Sequence, residues 1–357
     1  MISQATSRRS FLRGAFAGVG AWSVADRPTF SAESAQLAFA NGERPLARYP
    51  GKRPLIQLSA RPPQLETPFS IFNEGVLTPN DAFFVRYHLA DIPLSIDPGA
   101  FHLEIRGHVE TPLSLSLAEL KRDFDPVEIV AVNQCSGNSR GFVEPRVAGG
   151  QFGNGAMGNA RWTGIALKAI LEKAGPKPGA RSVAFNGLDG PVAPETPDFI
   201  KSLDLAHAGD GEVMIAYAMN GEDLPWLNGF PLRLVVPGCY GTYWVKHLND
   251  IEVLDKDFDG FWMSSAYRIP DNDCACVAPG APKGATRPIM RLNVRSFITS
   301  PAEDAKVAAY VALEVKGIAF DGGHGIEAVL LSTDEGASWI ATRLGDDLGR
   351  YSFREWR

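Results

Sequence analysis

Val127-Glu-Ile-Val-Ala-Val132 runs directly into Asn133-Gln-Cys-Ser-Gly-Asn-Ser-Arg140, and the fold can be read outward from this stretch. The apolar, β-branched run predicts a buried strand, and the Cys-Ser-Gly-Asn that follows predicts a loop at its end. Gly137 and Asn138 let backbone approach a bulky ligand closely, while Arg140 puts positive charge five residues from a thiol that must ionise to bind metal. An isolated cysteine in such a place is more often a buried structural residue. Upstream, Leu103-Glu-Ile-Arg-Gly-His-Val109 alternates like a half-buried strand. Helical spacing of Leu, Ile and Ala predicts helices over 115–124 and 164–174, the second stopped by Gly175-Pro176. Phe83-Phe-Val-Arg-Tyr-His88 and Gly229-Phe-Pro-Leu-Arg-Leu-Val-Val-Pro-Gly238, continued by Tyr243-Trp-Val-Lys246, likewise end strand-like runs with basic residues on loops.

A chain of 357 residues, 45% apolar and 21% charged, is expected to fold as two domains behind an N-terminal leader. The net charge of -6 argues against a nucleic-acid binder, which needs a basic face, but leaves room for a local basic pocket. Ser7-Arg8-Arg9-Ser10-Phe11-Leu12-Arg13, followed by a short small-residue apolar run, matches a twin-arginine export signal over residues 1–30. Folded export fits a cofactor inserted before translocation, and the expected location is the periplasm with no membrane anchor. Four cysteines stand at 135, 239, 274 and 276. Cys274-Ala-Cys276 is too tightly spaced for an unstrained bridge to itself, so both are expected as loop cysteines. No Cys-x-x-Cys-His occurs, so no covalent haem is expected on this chain.

Residues 31–64, rich in Pro, Ala and Arg, are expected to wrap the surface as an extended tail, so that 31–270 would form one domain. Asp271 to Pro288 carries Asp-Asn-Asp and repeated Pro and Gly, the composition of a linker. Ile289–Val294, Val307–Ile318 and Ile326–Ser332 then predict short strands of a β-sandwich. Residues 289–357 are fewer than the ~100 of an immunoglobulin-like sandwich, so this domain is expected to be incomplete. The fold class expected is α+β, mostly β.

Three segments taken together, Phe-x-x-Arg-x-His, Cys-x-Gly-Asn-x-Arg and Gly-Phe-Pro-x-Arg…Val-Pro-Gly…Val-Lys, resemble the sulfite oxidase family of molybdenum enzymes and stand in that family's order. Ala160-Arg-Trp-x-Gly164, Gly187-Leu-Asp189, Met219-Asn-Gly221 and Ser332-Thr-Asp-Glu-Gly-Ala-Ser-Trp339 extend the likeness from about residue 65 to the end. The resemblance implies a molybdopterin domain followed by an immunoglobulin-like dimerisation domain. It implies Cys135 as the ligand to molybdenum, and Arg86, His88, Arg140 and Tyr267 at the reacting centre. Planar guanidinium forks suit a trigonal oxyanion. The pterin is expected along Phe84, Val85, Arg86, Tyr87 and His88, with Asp189, Asn228, Arg233, Trp244, Val245 and Lys246. Asn228 stands where animal relatives carry a histidine.

The activity implied is oxidation of sulfite to sulfate by oxygen-atom transfer at the molybdenum-pterin centre. Electrons would leave one at a time to a c-type cytochrome, with a homodimer or a heterodimer with a cytochrome subunit as the assembly. Two rivals stand beside this reading: a related molybdenum enzyme for another sulfur compound, such as a sulfane intermediate or a sulfoxide, and a non-enzymatic exported binding protein.

Overall fold

The computed structural model describes residues 33–357 except 279, 283 and 304, and the twin-arginine segment lies outside them. Its elements are mostly strands, and two sheets with one shared core position the cleft. In the first, Pro126–Gln134 pairs antiparallel with Met157–Ala166 from Pro126↔Ile165 through Gln134↔Met157. Met214–Met219 continues that sheet, pairing with both Met157–Ala166 and Arg233–Val235. The second sheet runs in the order Lys201–Asp204, Ser182–Gly187, Leu248–Leu254, His102–Gly107, Leu113–Ser116. Its Leu248–Leu254 and His102–Gly107 strands are parallel and the remaining pairs antiparallel. Trp162, Phe185, Ile215, Leu234 and Ile251 fill the core, with Ile170 and Leu171 of the Leu167–Ala174 helix added to it.

The strand expected before Cys135 is present, but only its second half, Val130 to Gln134, is buried, and Val127 is exposed. Both expected helices form, each starting later than predicted. Leu113–Ser116 and Met157–Ala166 are strands, and their ladders claim the residues that periodicity assigned to the first turns. A capping box between Ser116 and Glu119 starts the Leu117–Asp123 helix, and left-handed Gly175 ends the other.

The Pro/Arg-rich segment is not a plain extended tail. Ser34–Gln36, Glu43–Ala47, Leu55–Ser59 and Gln64–Glu66 form an antiparallel meander that ends on Val85–Arg86. Local pairing thus satisfies the backbone of a stretch that shows no hydrophobic period.

After residue 288 the strands are Arg295–Ser300, Lys316–Phe320 and Arg354–Trp356 in one small sheet and Leu330–Leu331 with Ile340–Ala341 in another. These are the short sheets of an immunoglobulin-like fold. Strand structure was expected at 289–294, but those residues are tied to the cleft side instead: Ile289 N donates to Tyr267 O, Leu292 N to Gly238 O, and Arg291 bridges Cys239. Arg268–Pro270 and Thr286–Pro288 pair as an antiparallel hairpin. At its tip Cys274 and Cys276 are disulfide-bonded, which corrects the expectation of two unbridged loop cysteines. The positive φ of Ala275, 47°, turns the chain so that the two Cα atoms are 5.1 Å apart, within disulfide reach. Among the described residues no helix is long and apolar enough to cross a membrane.

Candidate active site

Strand alternation decides which side chains of the Phe84–His88 segment reach the site. Phe84, Arg86 and His88 face one cleft, whereas Val85 and Tyr87 turn into a separate cluster with Leu55, Leu65 and Leu227. Pro126–Gln134 ends by delivering Asn133 and Cys135 to the same cleft. Cys135 N is held by Ala156 O at 2.9 Å, and Gly137 N donates to Cys135 Sγ at 3.3 Å. Arg233 and Lys246 oppose each other across a β-bridge, so two cations from one quoted motif meet on one wall. The left-handed Gly229 makes that packing possible: a Cβ there would lie 3.2 Å from Lys246 Cα and 3.3 Å from Arg233 Cβ.

Of the residues expected from sequence, Phe84, Arg86, His88, Cys135, Asn228, Arg233, Trp244, Lys246 and Tyr267 line the cleft. Val85, Tyr87, Val245, Asp189 and Arg140 are not on its wall. Tyr87 sits behind it, its hydroxyl 2.7 Å from His247 Nε2 and its ring under Lys246 Nζ at 4.0 Å. Asp189 is buried, its carboxyl pushed up by desolvation and drawn back by the Lys246 charge. Arg140 is half-buried in the loop after Cys135, its guanidinium occupying the space that a Cβ on Gly149 would need.

Asn228 lines the cleft but spends its polar atoms on protein. Its Oδ1 accepts from Lys52 Nζ at 2.5 Å, its Nδ2 donates to Phe84 O at 3.1 Å, and its carbonyl accepts from Arg233 Nη1 at 2.9 Å. Where the animal relatives were expected to carry histidine, an asparagine here serves a buried lysine from the N-terminal meander.

The wall carries three cations, Arg86, Arg233 and Lys246, and no carboxylate. Buried polar atoms without a protein partner gather on the same wall: Arg86 Nε, Arg233 Nε, both amide atoms of Asn133, and Thr242 Oγ1. Orphaned groups of this kind are costly unless a ligand satisfies them. A polar ring system that bears a phosphate and carries a metal, to which the one protein thiolate would bind, fits that donor set, since amide and hydroxyl can serve the ring and the cations the phosphate. Desolvation lowers the Lys246 ammonium, and it holds the His88 imidazole well below its usual range, helped by the Arg86, Lys246 and Lys201 charges. His88 is therefore neutral at pH 7. It stacks on Phe199 at 3.7 Å, and its Nε2 shares a short hydrogen bond with Tyr267 OH. Tyr267 has φ 56° and is pushed up by burial, with Arg86 and Arg140 pulling it down.

Sequence reading missed Asn133, Ser136, Phe199 and Thr242 on the wall. Asn133 and Ser136 lie inside a quoted motif and Thr242 falls just before another, so proximity to a motif was their only signal. Phe199 and Lys52 carried none. The loop after Cys135 is itself braced from two directions. Arg295 Nη2 donates to Ser139 Oγ at 2.8 Å, and buried Glu66 accepts from Gly153 N at 2.8 Å and Gly155 N at 2.7 Å.

Residues 89–262 match the family described as oxidoreductase molybdopterin binding domain, and 286–356 match the Mo-co oxidoreductase dimerisation domain. Sulfite oxidase of Gallus gallus is 37% identical over 318 residues, covering 86% of this chain and 67% of that protein. Mitochondrial sulfite oxidase of Homo sapiens is 34% identical, with 88% of this chain and 58% of the relative covered. For sulfite oxidase of Arabidopsis thaliana the figures are 31%, 88% and 82%. This chain thus spans little more than half the length of several animal relatives. Among solved structures, the sulfane dehydrogenase SoxCD of Paracoccus pantotrophus superposes with TM-score 0.71 at 25% identity, over 95% of this chain and 80% of that one. A thiol at a strand end in a cation-lined cleft, on this fold and with these relatives, has one family reading: the chain belongs to the sulfite oxidase family of molybdopterin oxidoreductases.

Proposed function

We propose that this molybdenum oxidoreductase oxidises sulfite to sulfate. One observation carries the reading: the cleft that holds Cys135 is lined by Arg86, Arg233 and Lys246 and by no carboxylate, a positive wall shared between the pterin phosphate and the substrate anion. Such a wall suits a small dianion and a dianionic product, because fixed positive charge in a poorly solvated site lowers the energy of both. When bound, the molybdenum-pterin group supplies the oxygen-atom transfer and accepts two electrons, with water the ultimate oxygen source and two protons released. The chain's own residues bind and orient. Cys135 is assigned as the thiolate ligand, Arg86 as the oxyanion grip with the charge of Arg140 behind it in the Cys135 loop, and Tyr267 with neutral His88 as the hydrogen-bonding pair at the substrate oxygen. Arg233, Trp244, Lys246, Asn133 and Thr242 hold the pterin and its phosphate, with Asp189 behind them. Electrons then pass singly to a c-type cytochrome in the periplasm, with the enzyme exported folded by the twin-arginine route. The assembly is a homodimer through residues 289–357 or a heterodimer with the cytochrome.

A second reading is favoured by the likeness to a sulfane dehydrogenase: the substrate would be a sulfane sulfur rather than free sulfite. The test is steady-state kinetics on protein carrying stoichiometric molybdenum, with sulfite, a persulfide-bearing thiol, a sulfoxide and nitrate, each followed with cytochrome c or a dye. Sulfite-dependent cytochrome reduction lost in Cys135→Ser supports the proposal. Turnover of the persulfide alone replaces it with the second reading, and turnover of none of the sulfur compounds refutes both.

A further inference from the structure

Lys201 begins the strand Lys201–Asp204 and is wholly buried. Its Nζ donates to Trp262 O at 2.6 Å and lies 4.6 Å from the Tyr243 ring centroid and 5.3 Å from that of Tyr267. Among the described residues no carboxylate forms an ion pair with it. A buried ammonium with one carbonyl acceptor and two aromatic faces is expensive, since a methionine of similar length would pack there without the desolvation cost. What sits next to it gives the cost a use. Tyr267 bonds His88, and His88, Phe199, Trp262 and Tyr267 form one aromatic set at the cleft, with ring centroids 3.7 to 6.2 Å apart.

We propose that Lys201 is a positioning residue for the anion site: its ammonium fixes the Tyr267 ring against His88 and adds positive potential behind them, so that the cleft binds an oxyanion more tightly. The inference deepens the oxyanion reading above and rests on it. Lys201 lies one layer behind the wall, so it acts through Tyr267 and His88 and through its field, without touching the anion. The groups facing it are the Tyr243 and Tyr267 phenols, both raised by burial, and the neutral His88 ring, on which the Arg86 and Lys246 charges also act. Burial lowers Lys201 itself to about 7, so its field should fade as pH rises past neutrality.

The test is sulfate binding by titration calorimetry to molybdenum-loaded wild type, Lys201→Met and Lys201→Arg, between pH 6 and 9, with molybdenum content measured in each. Lys201→Met should weaken sulfate about tenfold at pH 6, the effect of one charge removed behind a poorly solvated wall. Lys201→Arg should restore that affinity and keep more of it at pH 9 than wild type does. Any alkaline weakening that other groups such as Lys246 contribute is common to all three proteins, so only the part abolished by arginine belongs to Lys201. Equal affinity in wild type and Lys201→Met overturns the proposal, and so does a wild type that binds no sulfate. Should the methionine variant fail to load molybdenum, the arginine variant decides: an unchanged pH dependence overturns the inference. Sulfate binding without sulfite turnover sinks the activity reading and leaves Lys201 standing, whereas sulfite turnover with unaltered sulfate affinity does the reverse.

Discussion

Replacing Glu66 tests whether the cleft is held from behind. Its side chain is 1% exposed, and its two oxygens accept from Gly153 N and Gly155 N at 2.8 and 2.7 Å. The segment so clamped returns three hydrogen bonds to the loop that carries Cys135: Ala156 O takes Cys135 N, Gly153 O takes Ser139 N and Phe152 O takes Gly141 N. Glu66→Ala strands two buried N–H groups at about 1–3 kcal/mol each, so a loss of about 2–6 kcal/mol is expected. Glu66→Gln keeps one acceptor and should lose about half of that. Against a typical total of about 5–15 kcal/mol, either change is large.

Urea denaturation followed by circular dichroism on protein with matched cofactor content measures the loss, and molybdenum retention on dialysis measures the loosened loop. The pH dependence gives a second readout. Burial raises the Glu66 carboxyl above the usual carboxylate range in the fold, so between its unfolded and folded pKa the native state holds the extra proton. Its contribution to stability is then largest at acid pH and declines as pH rises through that window. The stability of wild type minus that of Glu66→Gln should fall on going from pH 4 to pH 7. A Glu66→Ala protein within about 0.5 kcal/mol of wild type and retaining its molybdenum would refute the clamp, since ordinary surface changes do no more than that.

Cys135→Ser should fold with wild-type circular dichroism yet carry little molybdenum by elemental analysis, because a serine hydroxyl is a poor substitute for a soft thiolate. Trp162→Ala removes a fully buried indole that donates to Ala131 O at 3.1 Å and packs on Phe83, Trp244 and Arg233, and about 3–5 kcal/mol should be lost in the same denaturation assay. Tyr87→Phe leaves His247 Nε2 unpaired in the core, for a loss of about 1–2 kcal/mol by the same measurement. Arg161→Ala breaks only the solvent-facing pair with Glu128, and its denaturation midpoint should correspond to less than about 1 kcal/mol.

Several local elements and most of the chemical identities at the cleft were legible in the sequence, whereas the N-terminal meander, which has no hydrophobic period, was not. An apolar, β-branched run marked the strand before Cys135, alternation marked the strand over 103–109, helical spacing marked both helices, and Gly-Phe-Pro-x-Arg with Val-Lys marked the paired cations Arg233 and Lys246. These signals are readable because strand and helix periods are set by the backbone within a few residues. Only the tertiary structure decided which members of each motif face the cleft. The pleat turned Val85 and Tyr87 away, and Arg140 settled beside Gly149, off the wall. It also decided the uses of residues that carry no local pattern. Lys52 is buried because Asn228, 176 residues on, accepts from it, and Lys201 because Trp262, 61 residues on, does. The environment of a lysine is made by partners that reach it only after the chain has folded, and no spacing in the sequence records where those partners will be.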